Sequence, residues 1–158
     1  MNRITWIAAT GFGCGLSPVA PGTAGSVPGV VLAALICASG AGWAAQAAIA
    51  VALAAVAIPV CGAAEKSFGV KDDRRIVADE YLTFPICTIG LPCLAAPWIL
   101  AVAFVVNRAM DVLKPFPARQ IQAVPGGPGI VLDDVFSSLY ALAINHAVWW
   151  VLKPVATA

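Results

Sequence analysis

The chain has 158 residues, of which 61% are hydrophobic and only 11% charged, with a mean hydropathy of +0.90. A soluble domain carries about 25% charged and about 45–50% apolar residues, so this composition argues against an ordinary cytosolic fold and excludes disorder and a secreted disulfide scaffold. The net charge of +1 leaves no whole-chain electrostatic case for nucleic acid.

Charge is placed unevenly. No Asp, Glu, Lys or Arg separates Arg3 from Glu65, a run of 61 residues, and all eight acids fall between Glu65 and Asp134. The length suits one domain, residues 1–158, with no internal repeat or linker to divide it. Cys14, Cys37, Cys61, Cys87 and Cys93 are odd in number, lie in apolar runs and form no CxxC pair, so they read as buried reduced thiols.

The chain starts with one positive charge and an apolar stretch, as a signal peptide does. Gly11, Gly13, Gly15, Pro18, Pro21 and Gly22 break that stretch before any plausible cleavage site, so it reads as mature protein. A bilayer core about 30 Å thick needs about 20 apolar residues in a helix. Residues 24–39 form a short first span and 43–61 a second, joined by a tight turn at 39–42. A polar loop, 65–75, follows, and Lys66, Lys71, Arg74 and Arg75 assign it to the cytoplasmic side. The apolar region 76–112 reads as one span, with Arg108, Asp111 and Lys114 outside, or as two short ones. Gly90, Pro92 and Pro97, with Trp98 as an interfacial anchor, favour two spans turning at 90–97, which brings these charges to one face. The last run, 130–152, begins near Asp133 and Asp134 and ends near Trp149, Trp150 and Lys153. The expectation is an all-α, polytopic membrane bundle of about five short or broken helices, N-terminus inside, with its active site at the cytoplasmic face. A soluble helical bundle is the alternative, but its water-facing sides would lack charge over 61 residues.

Four polar islands interrupt the apolar chain, all on the predicted cytoplasmic side. The first, residues 13–26 (GCGLSPVAPGTAGS), lacks the Gly-Lys-Ser/Thr ending of a nucleotide P-loop and holds no lysine. Its glycine amides and the Ser17, Thr23 and Ser26 hydroxyls precede a helix whose free amides suit an anion, or else they form a breaker loop capped by Thr23 or Ser26. The second island ends in Asp79-Glu80. Adjacent carboxylates lie about 100° apart on a helix, so both face one cavity only at its edge, and pairing with Arg74 or Arg75 would also account for them. In the third, residues 107–117 (NRAMDVLKPFP), Arg108, Asp111 and Lys114 stand at spacings of three on one helix face, which Pro115 and Pro117 end. The fourth, residues 126–134 (GGPGIVLDD), puts Asp133 and Asp134 in the first turn of a helix, where the dipole favours one acid but a second is harder to explain.

Acids embedded in a membrane are costly, and here three clusters approach one face. Asp79, Glu80, Asp111, Asp133 and Asp134 make an oxygen-rich set without sulfur or histidine partners at matching spacing. Oxygen donors select a hard divalent cation, and Mg2+ keeps waters and takes phosphate as a further ligand. Arg108, Lys114 and Arg119 would supply cations for a phosphate monoester, with Ser17, Thr23 and Ser26 as the hydroxyl contacts to substrate. Purely structural ion pairs are the competing explanation.

These islands resemble those of the phosphatidylglycerophosphatase A family of bacterial lipid phosphatases. The resemblance is carried by residues 13–26, 76–80 (IVADE), 107–117 and 126–134, four motifs in the same order covering most of the chain. It implies Mg2+-dependent hydrolysis of phosphatidylglycerophosphate, a membrane phospholipid, to phosphatidylglycerol and inorganic phosphate in the bacterial inner membrane. The family's acidic positions carry over to Asp79, Glu80, Asp111, Asp133 and Asp134, and its basic position to Lys114. This chain departs from the pattern at Met110 (commonly Phe or Leu), Thr83 (Gly) and Val131 (Met), and Pro128 and Ser137-Ser138 are also unusual. None of these removes a charged motif residue; they bear on packing.

Absences point the same way. His146 is the only histidine and lies deep in the last apolar run, which argues against a phosphohistidine mechanism. No cysteine is followed five residues later by Arg, and no Asp-x-Asp occurs. Attack by a metal-activated water therefore leads, with one carboxylate as general base and Lys114 stabilising the phosphate or leaving group; a covalent aspartyl phosphate stays open. Acyl chains would lie between helices while the headgroup reaches the cytoplasmic face. A small transporter or channel using the acids as a cation path would need ionisable groups along the depth of the helices, whereas here they crowd one edge.

Overall fold

The computed structural model describes the backbone of residues 1–156 and the side chains of residues 1–153. All regular structure among them is helical: α1 (Arg3–Ala9), α2 (Pro21–Ala38), α3 (Trp43–Phe68), α4 (Ala78–Thr83), α5 (Trp98–Leu113), α6 (Ala118–Ile121) and α7 (Gly127–Ala156), with 3-10 turns at Cys14–Leu16 and Phe84–Thr88. The expected all-α bundle is present, and three of its helices, Pro21–Ala38, Trp43–Phe68 and Gly127–Lys153, are long and apolar enough to cross a membrane.

The first helical pair follows the sequence closely. Pro21 opens α2, where its ring presets a helical φ and its missing amide hydrogen is not needed. α2 stops at Ala38, Gly40 turns the chain at φ +73°, and α3 starts at Trp43. α3 then runs beyond its apolar stretch, through Glu65 and Lys66, until Gly69 at φ +71° caps it in the left-handed region. The polar loop is therefore shorter than expected.

The third apolar run turns back on itself between Gly90 and Pro97, as its glycine and prolines predict, but its two arms are unlike. The second arm is the 16-residue α5. The first is α4 followed by Phe84–Thr88, with Val77, Ala78, Phe84 and Cys87 fully buried. At about 1.5–2 Å of rise per residue this arm is roughly 20 Å long, too short for a bilayer core. It is a buried plug between α2 and α3. Small residues on α2 let it approach: a Cβ at Gly25 would lie 2.4 Å from that of Val77, and one at Gly29 2.6 Å from that of Phe84.

α7 closes the bundle by packing along both α5 and α3. On the α3 side, Ala57, Cys61 and Ala64 meet Ile130 and Val131 over Tyr81 and Leu82. On the α5 side, Ala103 and Ala141 enclose Phe84 and Cys87. α7 starts at Gly127, ahead of the expected residue 130, because Pro128 suits a first turn and three glycines do not prevent one. Its first turn holds no acid, so Asp133 and Asp134 lie in the second turn and not, as the sequence predicts, in the first, which removes dipole capping as an explanation for either.

Candidate active site

Four helices and one loop deliver polar groups to a single cleft of about 330 Å³. The first turn of α2 contributes Pro21 and Gly22, the 69–77 loop Asp72, Arg74 and Ile76, and the start of α4 Asp79 and Glu80. The end of α5 adds Arg108, Asp111 and Val112, its cap Lys114, and α7 adds Asp133 and Asp134. All five carboxylates singled out in the sequence thus line one cavity, together with two of the expected cations.

Two cations hold part of this set. The Arg108 guanidinium donates to Asp111, with Nη1 2.6 Å from Oδ2, and lies 3.4 Å from Glu80 Oε1. The Lys114 ammonium donates to Asp133 Oδ2 and stands 3.9 Å from Asp111 Oδ1. Lys114 reaches both helices because it caps α5 at φ +44°, outside the helical path. Partial burial disfavours its charge, yet the contact with Asp133 and the nearby Asp134 and Asp111 hold its pKa above the ordinary lysine value. Glu80 is fixed from the other side by the buried Ser26 hydroxyl, 3.1 Å from Oε2. Gly22 leaves room for this arrangement, since a Cβ there would sit 2.3 Å from Glu80 Oε1.

The remaining valence is unspent. Asp79 Oδ1 and Asp133 Oδ1 are buried without a hydrogen-bond partner. A buried carboxyl oxygen without a partner is costly, and such a group calls for a cation or a hydrogen-bond partner to complete it. The donor set is all oxygen, which fits a hard divalent ion such as Mg2+. Among the described residues, however, no three acidic, Cys or His side chains already stand in a metal-holding group. Asp111 and Asp133 each give an oxygen to Arg108 or Lys114, so closing a shell requires those contacts to be exchanged or shared.

Other sequence candidates lie elsewhere. Ser26 buttresses Glu80 and is absent from the cleft lining, so it positions a carboxylate and does not itself face the cavity. Ser17 donates to the Val19 carbonyl at 2.8 Å and Thr23 is exposed; neither lines the cleft, because α2 starts at Pro21 with Ala20 as a cap that offers no side-chain bond. Arg119 lines a neighbouring depression with Lys71, Asp72 and Gln122. Arg75 does not reach Asp79 or Glu80; it pairs with Asp73 at 2.7 Å. His146 sits 12 residues past Asp134 on α7, about 18 Å along the axis, with Nε2 2.9 Å from the Ile89 carbonyl oxygen. It is remote from the cleft, as expected.

Sequence reasoning passed over Asp72, which reads as an ordinary loop charge yet lines the cleft; its φ of +51° is invisible in the sequence. The unusual residues are packing elements. The Thr83 hydroxyl donates to the Asp79 carbonyl at 2.7 Å, Ser138 donates to Asn107 Oδ1 at 3.0 Å, and Met110 and Val131 pack in the two apolar clusters. All five cysteines are free thiols, but only Cys61, Cys87 and Cys93 are fully buried.

Residues 7–149 match the family model described as Phosphatidylglycerophosphatase A. A Haemophilus influenzae protein of that name is 35% identical over 154 residues, covering 92% of this chain and 90% of the relative. An Escherichia coli K12 protein of the same name is 32% identical over 147 residues, covering 92% and 84%. A Bacteroides thetaiotaomicron relative, provisionally named as a phosphatidylinositol-3-phosphatase, is 31% identical over 156 residues, covering 92% and 94%. No solved structure matches the chain.

Proposed function

The chain belongs to the phosphatidylglycerophosphatase A family, and from that premise we propose that it is a Mg2+-dependent enzyme hydrolysing phosphatidylglycerophosphate to phosphatidylglycerol and inorganic phosphate. The observation that carries this reading is the meeting of six carboxylates with Arg74, Arg108 and Lys114 in one cleft, where two carboxylate oxygens are buried and unpartnered.

Asp79, Asp133 and Asp134, with Glu80 and Asp111 beside them, would hold the metal. When bound, Mg2+ supplies charge neutralisation at the phosphoryl oxygens and lowers the pKa of water. The chain's own groups divide the remaining work. In the hydrolysis a water oxygen bonds to phosphorus as the ester bond to the glycerol oxygen breaks, and the departing alkoxide takes up a proton from solvent. A cleft carboxylate that does not hold the metal receives the proton from that water. Lys114 and Arg108 donate to the phosphate oxygens as charge gathers on them. Arg74, on the cleft wall, adds a third cation for the anionic headgroup.

The bilayer explains the rest of the chain. Three helices fit a membrane crossing, and Arg74 on the cleft wall with Lys71 and Arg119 in the depression beside it match a cytoplasmic orientation by the positive-inside tendency. We place the enzyme in the bacterial inner membrane with its cleft facing the cytoplasm. The test is phosphate release by the purified chain in detergent. Release from phosphatidylglycerophosphate with Mg2+, abolished by excess EDTA, is the expected result. Equal rates in EDTA would overturn the metal assignment. Faster release from phosphatidic acid, phosphatidylinositol 3-phosphate or a soluble monoester would overturn the substrate assignment.

A further inference from the structure

α2 packs mainly on α4 and its 3-10 extension and touches α5 only lightly. The light contact leaves an apolar groove of about 400 Å³ between Val27 and Val30 of α2 and Leu100, Ala101, Phe104 and Val105 of α5. Val30, Leu100 and Phe104 form the floor, where they pack on Ala33, Phe84, Cys87 and Ala103. Val27 and Val105 stand up as exposed walls, 51% and 65% accessible.

Groove and cleft share the same two helices. Phe104 and Val105 precede Arg108 by four and three residues and so share its helix face, while Arg108 itself lines the cleft. On α2, Gly22 lines the cleft and Val27, about one and a half turns on, lines the groove. A molecule with an anionic end in the cleft therefore finds apolar surface directly alongside. The depth also fits: Arg108 to Leu100 is about 12 Å of helix, against about 15 Å for one leaflet of the bilayer core.

Resting on the lipid phosphatase reading, we infer that the groove between α2 and α5 seats an acyl chain of the glycerophospholipid whose headgroup occupies the cleft, the lipid arriving sideways from the bilayer. Arg108 stands at the seam, lining the cleft while sharing a helix face with Phe104 and Val105 of the groove. A second apolar depression on the far side of α2, bordered by Phe12, Val31, Leu35 and Tyr81, shares Val27 but none of the α5 wall, and serves as the control.

The test uses the full chain in nanodiscs containing phosphatidic acid with a diazirine midway along one acyl chain, with adducts mapped by mass spectrometry. Adducts should concentrate on residues 99–106 and 27–30, several-fold above the equally exposed Val51, Val56 and Val151, and disappear when unlabelled phosphatidylglycerophosphate is added. Even labelling of all exposed apolar faces would overturn the inference. Val105→Trp, which fills the groove, should raise KM for a dioleoyl substrate about tenfold with kcat held, whereas Val31→Trp leaves both unchanged. An unchanged KM in folded Val105→Trp would also overturn it. Adducts confined to the groove in a protein that releases no phosphate would leave the groove standing and sink the phosphatase reading. Phosphate release with even labelling would do the reverse.

Discussion

Two ion pairs near the cleft join similar groups in opposite surroundings. Asp73 and Arg75 are two residues apart, and every carboxylate oxygen is used. Oδ1 accepts from the Arg75 amide at 3.0 Å and from Nε at 2.8 Å, and Oδ2 accepts from Nη2 at 2.7 Å. The guanidinium also lies 4.1 Å from the Phe68 ring centroid, and its hydrogen bonds hold the Asp73 carboxyl below its ordinary pKa. Lys114 and Asp133 come from positions 19 apart, with the Asp133 side chain only 3% exposed, and leave Oδ1 of that aspartate without a partner. The first pair is complete and orders a loop. The second is buried, shared with Asp111 and incomplete, the condition in which a further cation or ligand has something to add.

That contrast can be broken experimentally. Asp133→Asn, Asp79→Asn and Asp134→Asn should each lower phosphate release by about 10²–10³-fold, whereas Asp73→Asn keeps its rate; extraction yield and gel-filtration profile check that all four fold. Lys114→Met should cost about 10²-fold in kcat, with Lys114→Arg recovering part of it because the charge returns in a different shape. Ser26→Ala removes a hydrogen bond to the Glu80 carboxylate and leaves the lining intact, so we expect about a tenfold fall in kcat/KM. Arg75→Ala should be the mildest, with kcat/KM unchanged and the thermal midpoint lowered only slightly, as for a local pair whose arginine is 44% exposed.

Much of the fold was legible because burial in lipid and burial in protein demand the same residues. The charge-free run between Arg3 and Glu65 marked α2 and α3, and Gly90 to Pro97 marked the reversal. That same equivalence hid α4: an apolar segment reads alike whether it faces acyl chains or other helices, so the plug looked like a span. Five of the six cleft acids were legible because each interrupts apolar sequence, where an acid is expensive without a purpose. Asp72 stands among other charges and carried no such mark. Ser17 and Thr23 fell away from the cleft because the helix began at Pro21, a boundary set by one local φ that hydroxyl spacing cannot reveal.

The short α4 has a consequence for how the protein is made. Its carboxylates ride on an element enclosed by α2 and α3, and they face Asp133 and Asp134 only when α7, the last helix described, has closed the bundle. A nascent chain emerging as far as Lys114 carries four of the six cleft acids but lacks the wall that α7 provides. The cleft is thus complete only once α7 has packed against α5 and α3.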